Sequence, residues 1–197
     1  MAGTTRERIL VATNELFRRH GYNGTSLKLI SDASGATIGS IYHFFPGGKE
    51  ALAVEVIATT GAVYRELFES IASGAKDPAR AYVDFFEGAA AMLEETDFID
   101  PCPIGTVARE VANTSQPIRV AASAAFTSWG QAASDHLRCA GIPTAVADQL
   151  ATVFVSTVEG TFVLSRTHRS VEPLAAAGRV IASLVEQALA AVPADVP

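Results

Sequence analysis

A chain of 197 residues with 49% hydrophobic content has ample material for a buried core, and suits either one large domain or a small domain joined to a larger one. Its net charge of −6 would exclude a nucleic-acid partner if the charge were evenly spread, and it is not. Residues 1–50 carry six Lys/Arg against four Asp/Glu, whereas the rest carries nine against seventeen, so only the N-terminal quarter is suited to meet phosphate.

Helical periodicity recurs in nearly every segment and alternating strand patterns do not, which predicts an all-α chain. The first helix opens at Thr4, with Thr4 and Glu7 at capping-box spacing, and buries Ile9, Ala12, Thr13, Leu16 and Phe17 before Gly21 stops it. A second starts after Thr25-Ser26 and runs through Leu27, Ile30 and Ala33 to Gly35; a third runs from Thr37 to near Pro46. The fourth starts at Gly48-Lys49 and continues to about Ala72, with no flexible linker before it. Asp77-Pro78 reads as an N-cap followed by proline at the first helical position, opening a helix that ends near Thr96. A rigid joint at Asp100-Pro101-Cys102-Pro103 precedes a short helix over Ile104 to Ala112, and another runs from Gln116 to about Ala140. After Gly141-Ile142-Pro143, two last helices cover about Thr144 to His168 and Pro173 to Ala191, with a frayed tail beyond Val192. These elements predict a small domain of three short helices over 1–47 and a larger all-helical domain over 48–197.

The third helix carries the sharpest chemistry. Projected at about 100° per residue, Ile38, Ile41 and Phe45 form an inward stripe. Gly39, Ser40 and His43 lie opposite, with Thr37 and Phe44 on one margin and Tyr42 on the other. An ordinary exposed helix would place Lys and Glu there. Gly39 instead gives up about 1 kcal/mol of helix propensity, which suits a surface that another molecule approaches closely. Small side chains let a helix enter the major groove, where hydroxyls and imidazole meet phosphates and base edges.

Gly21-Tyr22, Thr25-Ser26, Ile30-Ser31, Gly35, Gly39-Ser40-Ile41-Tyr42-His43 and Phe45-Pro46 followed by Lys49-Glu50 resemble the DNA-binding domain of the TetR family over about residues 5 to 55. The resemblance implies that Thr37, Gly39, Ser40 and His43 face the major groove and that Tyr42 touches sugar or phosphate. It also implies that Thr25 and Lys49 hold phosphates at the starts of helices two and four, where the helix dipole favours anions. The chain departs from the family pattern at Phe44, where many members have His, and at Gly47-Gly48, which includes an extra residue before the lysine. That Gly-Gly-Lys variant, with Asp97-Phe98 and Cys102-Pro103-Ile104 through Ala108 and Glu110, is similar to the LmrA/YxaF subgroup. This implies repression of efflux or oxygenase genes, relieved by antibiotics or flavonoid-like aromatics.

In the larger domain most aromatics are expected to be core. Around the proline-rich joint, Phe98, Cys102 and Trp129 are candidates to line an effector cavity, and Phe68 and Phe162 are candidates for the same role among the remaining aromatics. Glu159, alone in its apolar stretch, needs a partner if buried: a ligand group or a residue across a dimer. The stripes Leu150, Val153/Phe154, Thr157, Thr161, Leu164 and Ala177, Ile181, Leu184, Ala188, Leu189 suit either internal core or, as the preferred reading, an intermolecular four-helix bundle, with Gly160 permitting close approach.

Enzyme and cofactor signatures are weak. Cys102 lacks an identifiable base, His136 and Cys139 offer half a metal site, and the carboxylates show no catalytic spacing. Two cysteines and no recognisable leader suit reduced thiols in a cytoplasmic protein. The weakly polar run 150–164 falls short of the about 18 residues of a membrane span. The expectation is a homodimer that binds double-stranded, palindromic operator DNA and is released by a small, aromatic or hydrophobic effector. The alternatives are a small-molecule binding protein or enzyme with a vestigial helix-turn-helix, and an activator of the same build.

Overall fold

The computed structural model describes residues 3–99 and 102–192, which are all-helical with no strand among them. In chain order the helices are α1 (Thr5–His20), α2 (Leu27–Ser34), α3 (Ile38–Phe44), α4 (Gly48–Gly74), α5 (Arg80–Glu95), α6 (Pro103–Val111), α7 (Gln116–Cys139), α8 (Thr144–His168) and α9 (Glu172–Ala190). Half of the expected proline-rich joint, residues 100 and 101, and the tail from 193 lie outside the described residues. None of the described helices is long and apolar enough to cross a membrane.

Helix boundaries follow local chemistry. The Thr4 hydroxyl accepts the Glu7 N–H at 3.3 Å while the Glu7 carboxylate accepts the Thr4 N–H at 2.7 Å, so the capping box forms as the spacing predicts. Gly35 ends α2 in the left-handed region. At the fifth helix the start differs from expectation: regular winding begins at Arg80, and Asp77 accepts the Arg80 N–H at 2.9 Å across a Pro78-Ala79 turn. The aspartate still caps, but from two residues before the N-cap Ala79, because the proline and alanine form a preliminary turn.

The chain divides into two compact units, Met1–Gly61 with Ile99–Ala125, and Ala62–Phe98 with Phe126–Pro197. The first gathers α1–α3, the start of α4, α6 and the start of α7. Ile9, Ile30, Ala36, Ile41, Phe45 and Leu52 form its core, with Leu10, Leu16, Leu27 and Ala51 packed at the margin. Burying each large apolar side chain is worth about 1.5–3 kcal/mol. Arg6 joins α1 to α4 by an ion pair with Glu55 and lies over the Phe45 ring. Gly61 permits a close crossing, since a Cβ there would stand 2.9 Å from the Ala125 Cβ.

In the second unit α9 packs on α5 and α8. Gly178 brings α9 against α5, where an added Cβ would be 3.1 Å from that of Phe86. Phe68, Tyr82, Phe85 and Phe86 surround Phe154, with ring centroids 5.0–5.9 Å away in tilted or edge-on geometry. Phe154 and Tyr82 are buried. After α5 the chain turns through Asp97 and Phe98, both left-handed, and Arg169, the left-handed residue that ends α8, binds the turn: it pairs with the Asp97 carboxylate and lies over the Phe98 ring.

Candidate nucleic-acid interface

Helix α3 is placed by two buried side chains. Ile41 and Phe45 sit in the core of the first unit, whereas Gly39, Tyr42 and His43 are exposed and Ser40 is half-buried. Thr37 is exposed as the N-cap; its hydroxyl accepts the Ser40 N–H at 3.1 Å and shares a hydrogen bond with the Ser40 hydroxyl at 2.9 Å. A Cβ on Gly39 would meet only the Thr37 Oγ1, at 3.8 Å. An alanine would fit the protein's own packing, so the absent side chain matters outward, where it opens room for something else. The Tyr42 ring lies beside Gly48, whose φ is +61° and whose missing Cβ would be 3.3 Å from the ring. The added glycine before Lys49 thus supplies a left-handed start to α4 and a seat for that ring.

One element of the projected stripe is corrected. Ile38 was expected to point inward, yet it is 45% exposed, as Tyr42 is at 50%. On a seven-residue helix the core covers little more than the Ile41/Phe45 pair, one turn apart, and Ile38 lies at the first residue, beyond that cover. Phe44 is also exposed, edge-on to His43 at 5.0 Å. The outward face therefore carries apolar as well as hydrogen-bonding groups, and apolar groups are what a thymine methyl meets in the major groove.

Thr25 and Lys49 are both engaged internally. Thr25 is buried, and its hydroxyl donates to the Gly21 carbonyl at 2.7 Å, while Ser26 caps α2 by accepting the Leu29 N–H. The Lys49 ammonium donates to the carbonyls of Tyr22 and Thr25, 2.9 Å each, and stands 4.1 Å from the Tyr22 ring centroid. Partial burial pushes its pKa down, and the Glu110 charge opposes that shift. Burial raises the Tyr22 phenol, with Glu50 adding to it.

The residues expected around an effector are dispersed in character. Phe68 is buried within the aromatic cluster, 5.3 Å from the Phe154 ring, and Phe162 is buried on α8. Trp129 is half-buried, between Tyr64 at 5.8 Å and Phe126 at 5.4 Å. Phe98 is held by Arg169, and Glu159 is half-buried on α8. Cys102, buried, is the N-cap residue of α6 and belongs to the first unit. On α8 and α9, Leu164 is 49% and Val180 58% exposed, bordering an apolar groove with Val153, Pro173 and Leu184.

Residues 9–56 match the model of the bacterial regulatory proteins of the TetR family, and residues 78–180 match that of the LmrA/YxaF-like transcriptional regulator C-terminal domain. An HTH-type transcriptional regulator of Bacillus subtilis, YxaF, is 36% identical over 94% of this chain and 97% of its own. A second from that organism, LmrA, is 34% identical over 87% of this chain and 92% of its own. Among solved structures, the TetR family regulator CifR, in a cysteine mutant complexed with a 26-bp double-strand operator DNA, superimposes with a TM-score of 0.74 at 24% identity, covering 95% of this chain and 97% of that one. The exposed, glycine-bearing face of α3 and these matches across both halves lead to one assignment: the chain belongs to the TetR family of transcriptional regulators, in its LmrA/YxaF-like branch.

Proposed function

We propose that the protein is a ligand-responsive repressor that binds a palindromic operator as a homodimer in the cytoplasm. The observation that carries this reading is the outward face of α3, where Gly39, Tyr42 and His43 are presented to solvent on a helix fixed by Ile41 and Phe45. DNA binding is assigned to residues 1–47, with Thr37, Gly39, Ser40, Tyr42 and His43 toward the groove and Ile38 as an added apolar contact. The phosphate role at α2 goes to the start of the helix rather than to the Thr25 hydroxyl, which is used inside. Lys49 holds the turn before α2 with two of its three N–H donors, and the third is the one proposed to meet phosphate.

Residues 48–197 supply dimerisation and effector binding. The exposed apolar residues of α8 and α9 suit a second copy of the same face, which would close an intermolecular four-helix bundle. Phe68, Phe98, Cys102, Trp129, Glu159 and Phe162 remain the residues proposed to meet the effector, of aromatic or hydrophobic class. Effector binding then favours the state that does not fit operator, and operator weakens effector binding by the same factor.

The test is selection of duplex DNA from a random pool, followed by a salt titration of the selected site. A repressor dimer gives a palindrome and a steep salt slope. His43→Ala should weaken binding by about 1–3 kcal/mol and relax preference at one base position. Unchanged affinity and preference would remove His43 from the reading face.

A further inference from the structure

Glu110 lies on the last turn of α6, yet its carboxylate ends on the turn between α1 and α2 of the same compact unit. Oε2 accepts the backbone N–H of Asn23 at 2.8 Å, from 87 residues away in sequence. Gly21 makes the approach possible. Its φ is +69°, and any Cβ there would overlap the Glu110 carboxylate. Just beyond α6, the Ser115 hydroxyl donates to Glu50 Oε1 at 2.6 Å, next to Lys49 in sequence. The same turn is otherwise tied within the three-helix unit and the start of α4: Thr25 Oγ1 to the Gly21 carbonyl, the Thr25 N–H to the Tyr22 carbonyl at 3.2 Å, and Lys49 to the carbonyls of Tyr22 and Thr25. Asn23 N–H is thus a point at which the turn depends on a helix lying outside the first 61 residues.

We propose that Glu110 is a positioning residue for operator binding: by holding Asn23 it fixes the α1–α2 turn, and through it the pose of α2 and α3, without touching DNA. The inference rests on the operator-binding reading. A carboxylate accepting a backbone N–H makes a short, directional, charge-assisted bond that defines where the turn lies. Asn23 is exposed, so water replaces the carboxylate when it is removed and the fold persists with a looser turn. Binding competence then falls in proportion to the fraction of time the turn is correctly placed.

The sign of the effect separates positioning from plain charge. Glu110 is an anion near a DNA-binding unit, and if it acted only by repelling phosphate, both Glu110→Ala and Glu110→Gln would tighten binding to every sequence. Positioning requires that Glu110→Ala weaken operator binding by about tenfold and that Glu110→Gln, which keeps an acceptor oxygen, stay within about threefold of the parent. The experiment measures operator affinity of the full-length parent and both variants, together with hydrogen–deuterium exchange at the Asn23 amide in the DNA-free protein. Faster exchange in Glu110→Ala, restored in Glu110→Gln, with the affinities in the same order, is the expected result. Unchanged Asn23 exchange, or two variants that bind as tightly as the parent or more tightly, would overturn the proposal. If the parent selects no duplex, operator binding fails and this role fails with it; the exchange data, which need no DNA, show whether the turn contact itself exists.

Discussion

Replacing Lys49 with methionine separates its two roles, because the structure gives the ammonium an internal task beside the proposed phosphate contact. Lys49→Met keeps most of the side-chain length and removes two charge-assisted hydrogen bonds, to the carbonyls of Tyr22 and Thr25, and the contact with the Tyr22 ring. Bonds to charged groups are worth about 1.5–3 kcal/mol each, and the ring contact adds about 0.5–1 kcal/mol at a solvent-facing site. The group is only half-buried, so screening lowers these figures, and relief of ammonium desolvation offsets part of the loss. A net cost of about 2 kcal/mol follows, which for a chain of this size lowers Tm by about 4–8 °C. The loosened turn should weaken operator binding at every salt concentration while leaving the slope of log K against log salt in place. A lysine bound to phosphate predicts the reverse: unchanged Tm and a slope shallower by about 0.9 per lysine, or about 1.8 per dimer. Scanning calorimetry and a salt titration of operator binding measure the two quantities, and that second pair of results would refute the internal assignment.

The core and the α8/α9 surface give further expectations. Phe154→Ala removes the ring at the centre of the aromatic cluster and should cost about 3–5 kcal/mol in chemical denaturation; a loss below about 1 kcal/mol would mean the cluster collapses around the gap. Val180→Glu places a charge on the exposed apolar face of α9 and should yield a monomer by light scattering at micromolar concentration, whereas a persistent dimer would move the interface elsewhere. Burial raises the Tyr82 phenol well above its usual value near 10. The unfolded chain therefore loses this proton first, and the Tyr82 contribution, complete below pH 10, is lost as pH rises through the raised folded value. Tyr82→Phe should make the alkaline fall in stability shallower, with Tyr22, raised likewise, still contributing, and change stability at pH 7 by no more than about 1 kcal/mol because the hydroxyl bond to the Ala133 carbonyl is long, 3.4 Å. An unaltered alkaline limb would count against that assignment.

The elements most legible in the sequence are those whose partners are close in the chain. Thr4 and Glu7 announce each other across three residues, Gly35 marks the end of α2, and Ile41 with Phe45 declares the inward side of α3. Ile38 misleads because a hydrophobic stripe says which side a residue is on, and not whether a neighbouring helix extends far enough to cover it. The internal roles of Thr25, Lys49 and Glu110 are hidden for a different reason. Their partners are backbone carbonyls and one backbone N–H, groups that nearly every residue possesses, brought together from 4 to 87 positions away. A threonine and a lysine flanking a helix-turn-helix look the same on paper whether they face phosphate or the chain's own turn.

The turn at Asp97 and Phe98, bound by Arg169, has a consequence for how this sequence can change over time. Three residues with side chains occupy the left-handed region together, each at a cost of up to about 1–2 kcal/mol over an ordinary conformation, and the contacts among them, on exposed side chains, offset part of that cost. Replacing Asp97 with alanine removes the ion pair and retains the strain, whereas glycine removes both. The effect of substituting Arg169 then depends on which residue already stands at 97. The three positions are thereby coupled: the cost of a substitution at one depends on which residues stand at the other two.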